Sequence, residues 1–259
     1  PLDFWRAFRA EVLKVRPDAY IVAEVWRGAT PWLGGDTVHG VMNYRLRAAI
    51  LDYCAWDHMD AEDFDYELTQ LRAEHGASAP YHLTLLGSHD TARILTACGG
   101  DAERARLAAI FQFTYIGIPM IYYGDEIGMV GENDPLCRAG MIWDKRRWNG
   151  RLYETYRRLI ALRRAHAALT QGGFEPLTVF NAVYAYHRFL DEDSVVVVLN
   201  PREARQNVRL PLGRAAGRAA AWEDVLTGEC FPVHEGKLVL DSLPSRAGYV
   251  LLPRKDAHD

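Results

Sequence analysis

The residues best suited to chemistry are two acids that lie at the ends of short apolar runs. Glu24 follows the run YIVA (residues 20–23), and Asp90 ends the run LTLLGSHD (residues 83–90). Runs rich in β-branched and other apolar residues are typical of buried strands in a parallel sheet. In a β/α barrel the side chains at the carboxyl ends of the strands carry out the chemistry, and a pair of acids there could transfer protons. The alternative is two ordinary strands that end in solvated acids.

The segments around these acids alternate between strand and helix. We predict four strands, which end at Glu24, at residues 41–44, at Asp90 and at residues 120–123. Helical patterns lie before and between them, at residues 3–16, 46–53, 60–75 and 102–116, and a further one follows at residues 152–160. A strand that alternates with a helix is the βα pattern of a parallel sheet. Four such strands predict half of an eight-stranded barrel.

The pattern changes after Ala168, where the helical periodicity stops at the pair Gly172-Gly173. Short strand-like runs follow at residues 183–187, 194–199, 208–210 and 248–252, separated by turn residues. We therefore predict two domains. Residues 1–170 form the second half of a (β/α)8 barrel, with its strands 5–8, and residues 171–259 form a small antiparallel β-sandwich.

Composition and charge exclude several classes of protein. The 259 residues are 49% hydrophobic and 25% charged, which is typical of a globular protein. The net charge of -4 leaves no basic surface that would favour nucleic acid or a membrane, and no apolar run is long enough for a transmembrane helix. The four cysteines are widely spaced and contain no CxxC pair, so we expect reduced thiols and a cytoplasmic protein.

Three segments in order carry a resemblance to a known family. AEVW (residues 23–26), GSHDTARIL (87–95) and GIPMIYYGDEIGM (117–129) resemble signature segments of the α-amylase superfamily, glycoside hydrolase family 13. With VMNY (41–44) and the segment that runs on to MIWD (141–144), the chain is most similar to the neopullulanase, cyclomaltodextrinase and maltogenic amylase group. The resemblance covers essentially the whole chain. It implies a carboxyl-terminal part only, because two earlier family segments, one of which carries the nucleophile, would precede it.

The resemblance also implies roles for the acids. The family hydrolyses α-glucosidic linkages of starch-type glucans, cyclodextrins or pullulan by a retaining mechanism that needs a proton donor and a nucleophilic carboxylate. Glu24 matches the general acid/base, and Asp90 matches the carboxylate that holds the sugar and stabilises the transition state. His89 matches the histidine that bonds the same sugar. This chain alone would then be inactive, since the nucleophile lies outside it.

Other side chains are candidates for substrate binding. Tyr44 could stack on a sugar ring, and Trp26 could form part of an apolar setting for Glu24 or contact substrate. Arg93 could pair with a nearby carboxylate or contact the substrate. Ordinary packing, or for Arg93 a solvated helix start, is an equally good reading of these residues. The same two readings apply to Trp32, Trp143 and Trp148.

No metal or cofactor is expected. No His/Asp/Glu group has the sequence spacing of a metal site, and the loop at residues 131–134 is too generic to support calcium. Asp125 and Glu126 follow the last barrel strand, and we interpret them as architecture near the site. Arg27, Ala23 and Ala92 depart from the commonest family residues, which affects the expected linkage preference and not the acid/base assignment.

Three hypotheses remain open at this point. The chain is part of an α-glucan hydrolase, a non-catalytic relative that keeps the barrel for binding or interaction, or a transglycosylase or α-glucosidase of the same superfamily. The expected partners are an α-glucan oligosaccharide, the missing amino-terminal half of the barrel and a second copy of the chain in a homodimer. Neither nucleic acid nor a membrane is expected as a partner.

Overall fold

The computed structural model describes residues 1–254. The first part of the chain contains seven α-helices among the described residues: α1 Leu2–Val15, α2 Tyr44–Cys54, α3 Ala61–His75, α4 Ile94–Ala97, α5 Ala102–Thr114, α6 Gly150–Ala165 and α7 Ala167–Thr170. Four short strands alternate with them: β1 Val22–Ala23, β2 Gly40–Val41, β3 Leu83–Leu85 and β4 Ile118–Met120. The helices begin where capping residues precede them; Asp60, Asp101 and Asn149 accept backbone N–H bonds at the starts of α3, α5 and α6.

The four strands run parallel in the order β1-β2-β3-β4. β1 pairs with β2 and β3 with β4, and a parallel bridge between Met42 and Leu83 joins the two pairs. This confirms the predicted half barrel. The predicted end of β1 was one residue too far along the chain, and the predicted ends of the other three strands were three to five residues too far. β3 stops at Leu85, so His89 and Asp90 lie in the turn that follows, and Tyr44 begins a helix rather than ending a strand.

The second part of the chain is an antiparallel domain of eight strands: β5 Gly173–Phe180, β6 Val183–Leu190, β7 Asp193–Asn200, β8 Arg205–Pro211, β9 Ala221–Asp224, β10 Cys230–His234, β11 Lys237–Leu243 and β12 Ala247–Pro253. Their hydrogen-bonded order is β5-β6-β7-β12-β9-β10-β11-β8. The outermost strands β5 and β8 contact each other, so the sheet curls around its own apolar core. This confirms the predicted antiparallel domain, although β5, β9, β10 and β11 were not foreseen.

The central strands of this domain are buried on both faces. In β7, Val195 and Val197 belong to the core formed with the barrel helices, whereas Val196 and Val198 belong to the core of the β domain. An antiparallel strand usually alternates apolar and polar residues because one face meets water. The uninterrupted valine run instead reflects the packing of the sheet against α2, α3 and α5, which fixes the β domain to the half barrel.

The predicted division between residues 170 and 171 stays a prediction, and α7 ends and β5 begins on either side of it. The last five residues of the predicted second domain lie outside the described residues. Among residues 1–254, no helix combines the length and the apolar character needed to cross a membrane.

Candidate active site

The predicted acids lie at one end of the half barrel. Glu24 directly follows β1, and His89 and Asp90 lie in the turn after β3, with β2 between the two strands. Because the strands are parallel, these positions share the carboxyl-terminal face, where barrel proteins place their functional side chains. The fold therefore brings together residues that are 66 positions apart in the chain.

The three side chains form one cluster. His89 Nε2 is 3.8 Å from Glu24 Oε2 and 3.3 Å from Asp90 Oδ2. One ligand-type atom from each of the three residues lies within 4.8 Å of the others. The side chains of Glu24 and Asp90 are 35% and 36% exposed, so a solute can reach both carboxylates. The cluster can give a proton to a bound oxygen atom and accept hydrogen bonds from hydroxyl groups.

Glu24 is held by Tyr44, the first residue of α2. The Tyr44 hydroxyl donates to Glu24 Oε1 at 2.8 Å and lies 3.2 Å from Ser88 Oγ. Burial raises the pKa of Tyr44 to about 12, with the nearby carboxylate adding to the effect, so the phenol stays neutral and remains a donor. The bond restricts the Glu24 side chain while leaving its second oxygen free.

The stacking of Tyr44 on a sugar ring stays a prediction, and the position of the ring does not favour it. Tyr44 is only 6% exposed, because the indole of Trp26 covers its ring at a centroid distance of 3.8 Å and an interplanar angle of 7°. Trp26 itself is half exposed. Trp26 is therefore the residue of the pair that can offer an aromatic face to a ligand. Tyr44 lies beneath it and contacts Glu24 through its hydroxyl.

A contact of Arg93 with substrate also stays a prediction that its position does not favour. Its side chain is fully buried and donates to the Tyr123 carbonyl at 2.6 Å. It lies 3.4 Å from Asp125 and against the rings of Tyr122 and Tyr123. Arg93 does pair with a carboxylate, but with a buried one: burial raises the pKa of Asp125 to about 7, and Arg93 opposes that shift. The pair packs below the site and does not line it.

Two arginines that sequence reasoning missed hold the turn with His89 and Asp90. Arg138 Nη2 donates to Asp90 Oδ1 at 2.8 Å, and its Nε donates to the His89 carbonyl at 2.9 Å. Arg47 Nε donates to the Leu86 carbonyl at 2.7 Å. The only sequence signal was a basic residue in the loop after β4 and another in a helix near the site, and neither reveals which carbonyl or carboxylate it meets.

The other tryptophan candidates lie apart from this cluster. Trp32 packs edge-on against Trp5 of α1. Trp148 donates its indole N–H to the Ile142 carbonyl, and Trp143 is 79% exposed. None of the three has a described contact with Glu24, His89 or Asp90, so their role in binding stays a prediction.

The fold brings Glu24, His89 and Asp90 close enough to be tested as a metal site. Calcium takes six to eight oxygen ligands, whereas this group supplies two carboxylates and an imidazole nitrogen. The donor set therefore fits calcium poorly.

Four parallel βα units with an acid pair at their carboxyl ends define a β/α-barrel protein with a paired-carboxylate site. Comparison with known families makes this assignment specific. The family profile described as "Alpha amylase, catalytic domain" matches residues 1–150, and "Maltogenic Amylase, C-terminal domain" matches residues 174–250. The chain belongs to the α-amylase family.

Individual relatives agree with this family. Neopullulanase 2 of Thermoactinomyces vulgaris is 44% identical over 93% of this chain and 41% of its own length. A cyclomaltodextrinase of Geobacillus thermopakistaniensis is 39% identical over 96% of this chain and 42% of its own length. The cyclic α-maltosyl-(1→6)-maltose hydrolase of Arthrobacter globiformis, solved with that compound, matches with a TM-score of 0.82 and 34% identity, covering 97% of this chain and 53% of that one. The chain thus spans about two fifths of the curated relatives' length.

Proposed function

We propose that the protein containing this chain hydrolyses α-glucosidic linkages of starch-type glucans, cyclodextrins or pullulan with retention of configuration. The observation that carries the proposal is the convergence of Glu24, His89 and Asp90 at the carboxyl-terminal face of the half barrel. The names of the relatives, neopullulanase and cyclomaltodextrinase, support the same substrate class.

In this proposal Glu24 protonates the leaving oxygen and later activates water. The Tyr44 bond leaves Glu24 Oε2 free for that exchange. Asp90 and His89 accept and donate hydrogen bonds at the hydroxyls of the sugar whose bond is broken, and these bonds strengthen as positive charge develops in the transition state. Trp26 contributes an exposed aromatic face on which a neighbouring sugar can lie.

The nucleophile in this proposal comes from outside the chain. Among the described residues, the acid–histidine cluster contains only two carboxylates, and the proposed roles use both. The chain spans 41% of neopullulanase 2, so a longer protein would have room for the other barrel strands and for a third carboxylate. We further propose that those strands complete the barrel against β1 and β4, that a second copy of the protein forms a homodimer, and that the protein is cytoplasmic. The four free cysteines, three of them buried, suit a reducing compartment.

The test is a comparison of two conservative variants in the full-length protein. Glu24→Gln removes the proton donor, so kcat/KM for maltotriose, which reports cleavage of the glucosidic bond, should fall by about 10²–10⁴-fold. The kcat/KM for an activated aryl maltoside, whose leaving group needs no proton, should fall far less, although its kcat falls as well because Glu24 no longer activates water. Asp90→Asn should reduce turnover of both substrates. Glu132→Gln, an exposed glutamate in the loop after β4, is the matched control and should leave both rates unchanged.

The proposal fails if Glu24→Gln lowers kcat/KM as much for the aryl maltoside as for maltotriose, since Glu24 is then not the leaving-group acid. A full-length protein that binds maltooligosaccharides without turning them over would instead identify a binding protein. Product analysis separates hydrolysis from transglycosylation, because only the latter yields oligosaccharides longer than the substrate.

A further inference from the structure

One helix contacts both segments that carry the proposed acids. The Tyr44 hydroxyl of α2 donates to Glu24 at 2.8 Å. One turn later, Arg47 donates from Nε to the Leu86 carbonyl at 2.7 Å and from Nη2 to the Ala92 carbonyl at 3.2 Å. Leu86 and Ala92 bracket the turn that carries His89 and Asp90. Two residues on one helix therefore reach the two acid-bearing segments separately.

The start of this helix is itself fixed to the sheet. The Asn43 backbone N–H donates to the Leu83 carbonyl of β3 at 2.9 Å, and the Asn43 side chain caps the helix by accepting from Leu46 N at 3.0 Å. Residues three apart on a helix lie on the same side, so Tyr44 and Arg47 project in similar directions. The first turn of α2 is thus a rigid element to which both acid-bearing segments are attached.

We propose that Tyr44 and Arg47 are positioning residues that together set the separation of Glu24 and Asp90, an inference that rests on the proposed function. Tyr44 acts on Glu24 directly. Arg47 acts on Asp90 through the backbone of the turn, by holding the carbonyls at both ends of it. Neither residue needs to touch the substrate.

The chemistry of arginine suits this task. A guanidinium group has five N–H donors in a rigid fork, so it can bond two carbonyl oxygens at once, whereas a lysine ammonium is a compact charge on a flexible chain. Arg47 has no described salt bridge to a carboxylate, and burial lowers its pKa. The described hydrogen bonds of its side chain are those to the turn. Arg45, two residues earlier, instead bonds Glu67 and Glu74 on the exposed side of α2.

The test uses kinetics on maltotriose and on an activated aryl maltoside with the full-length protein. Arg47→Lys keeps the charge but not the fork, and should lower kcat on both substrates by about 10–100-fold with a smaller change in KM, since a misplacement of about 1 Å costs about that much. Tyr44→Phe removes only the hydroxyl and should lower kcat/KM more for maltotriose than for the aryl maltoside. Arg45→Lys is the matched control and should leave both rates unchanged.

A double-mutant cycle separates positioning from simple destabilisation. Because Arg47→Lys acts through Asp90, the double variant with Asp90→Asn should have nearly the same kcat as Asp90→Asn alone. In the double variant with Glu24→Gln, the two fold-losses in kcat should instead multiply. Tyr44→Phe acts through Glu24, so it should lower kcat little further in Glu24→Gln, whereas its fold-loss should multiply with that of Asp90→Asn. A merely structural role would lower the melting temperature and the amount of folded protein, and leave kcat per folded molecule and these couplings unchanged.

The outcomes distinguish this inference from the function it rests on. If Glu24→Gln and Asp90→Asn leave turnover unchanged, the proposed function fails. If they reduce turnover but Arg47→Lys multiplies fully with Asp90→Asn, the positioning role of Arg47 is overturned and the function stands. If neither Arg47→Lys nor Arg47→Gln folds, Arg47 is a folding residue, which also overturns its positioning role.

Discussion

Replacing the buried His82 should change how the stability of the protein depends on pH. His82 precedes β3 and is 1% exposed. Its Nδ1 accepts the Val41 backbone N–H at 3.0 Å, and its Nε2 lies 3.1 Å from Ser78 Oγ, whose own proton goes to the His75 carbonyl. Both ring nitrogens are thus satisfied in the neutral ring. A second proton would place Nδ1–H against the Val41 N–H.

The expected magnitude follows from the shift in pKa. Burial lowers the pKa of His82 from 6.5 to about 4, and the neighbouring ring of His75 adds to the shift. The unfolded chain therefore binds this proton below pH 6.5, whereas the folded protein does not until about pH 4. Stability is complete above pH 6.5 and falls as the pH is lowered toward 4. At about 1.4 kcal/mol per unit of pKa, the free energy of unfolding falls by at most about 3 kcal/mol over this range.

The assay is urea unfolding of the wild type and of His82→Asn between about pH 7.5 and about pH 4.5. Asparagine keeps an acceptor for the Val41 N–H but does not titrate. The variant should be less stable than the wild type at neutral pH. The difference between their free energies of unfolding should narrow on acidification by up to about 3 kcal/mol, because only the wild type loses stability.

Asp125→Asn provides a control of opposite sign. The pKa of Asp125 is raised from 3.8 to about 7 by burial, so the wild type gains stability relative to Asp125→Asn as the pH falls through that window. If the gap for His82→Asn is the same at both ends of the pH range, His82 does not titrate as argued and the reasoning is refuted.

Two further predictions concern packing. Phe64→Ala removes a fully buried ring of α3 that stacks on Tyr53, and should lower the free energy of unfolding in urea by about 3–5 kcal/mol. The matched control Phe180→Ala removes an exposed ring and should change this free energy little. Equal effects of the two changes would contradict the assigned core. Gly87→Ala should cost about 1–3 kcal/mol, because a Cβ there would overlap Asp125 Oδ2. Gly140→Ala, which meets open space, is its control, and a Gly87→Ala protein as stable as that control would show that the turn can move.

The sequence by itself determined the order of the elements and the location of the acids along them. Alternating strand and helix patterns predicted the half barrel, and the loss of helical period after Ala168 predicted the antiparallel domain. Glu24 and Asp90 were found because a polar residue after a buried apolar run needs a reason, and because parallel strands place such residues on one face. These inferences depend on local pattern, which a single sequence contains.

The partners of each side chain were decided only by the tertiary structure. Tyr44 was expected at the substrate, yet it lies under Trp26. Arg93 was expected either at the substrate or beside a carboxylate, and only the structure shows that the carboxylate is the buried Asp125. Arg47 could be recognised from the sequence only as a basic residue in a helix near the site, although it bonds two carbonyls of the acid-bearing turn. A long side chain can reach any of several neighbours, and which one it meets depends on how helices and strands from distant parts of the chain pack. That packing, rather than the local pattern, decides which residues face a ligand and which hold the others in place.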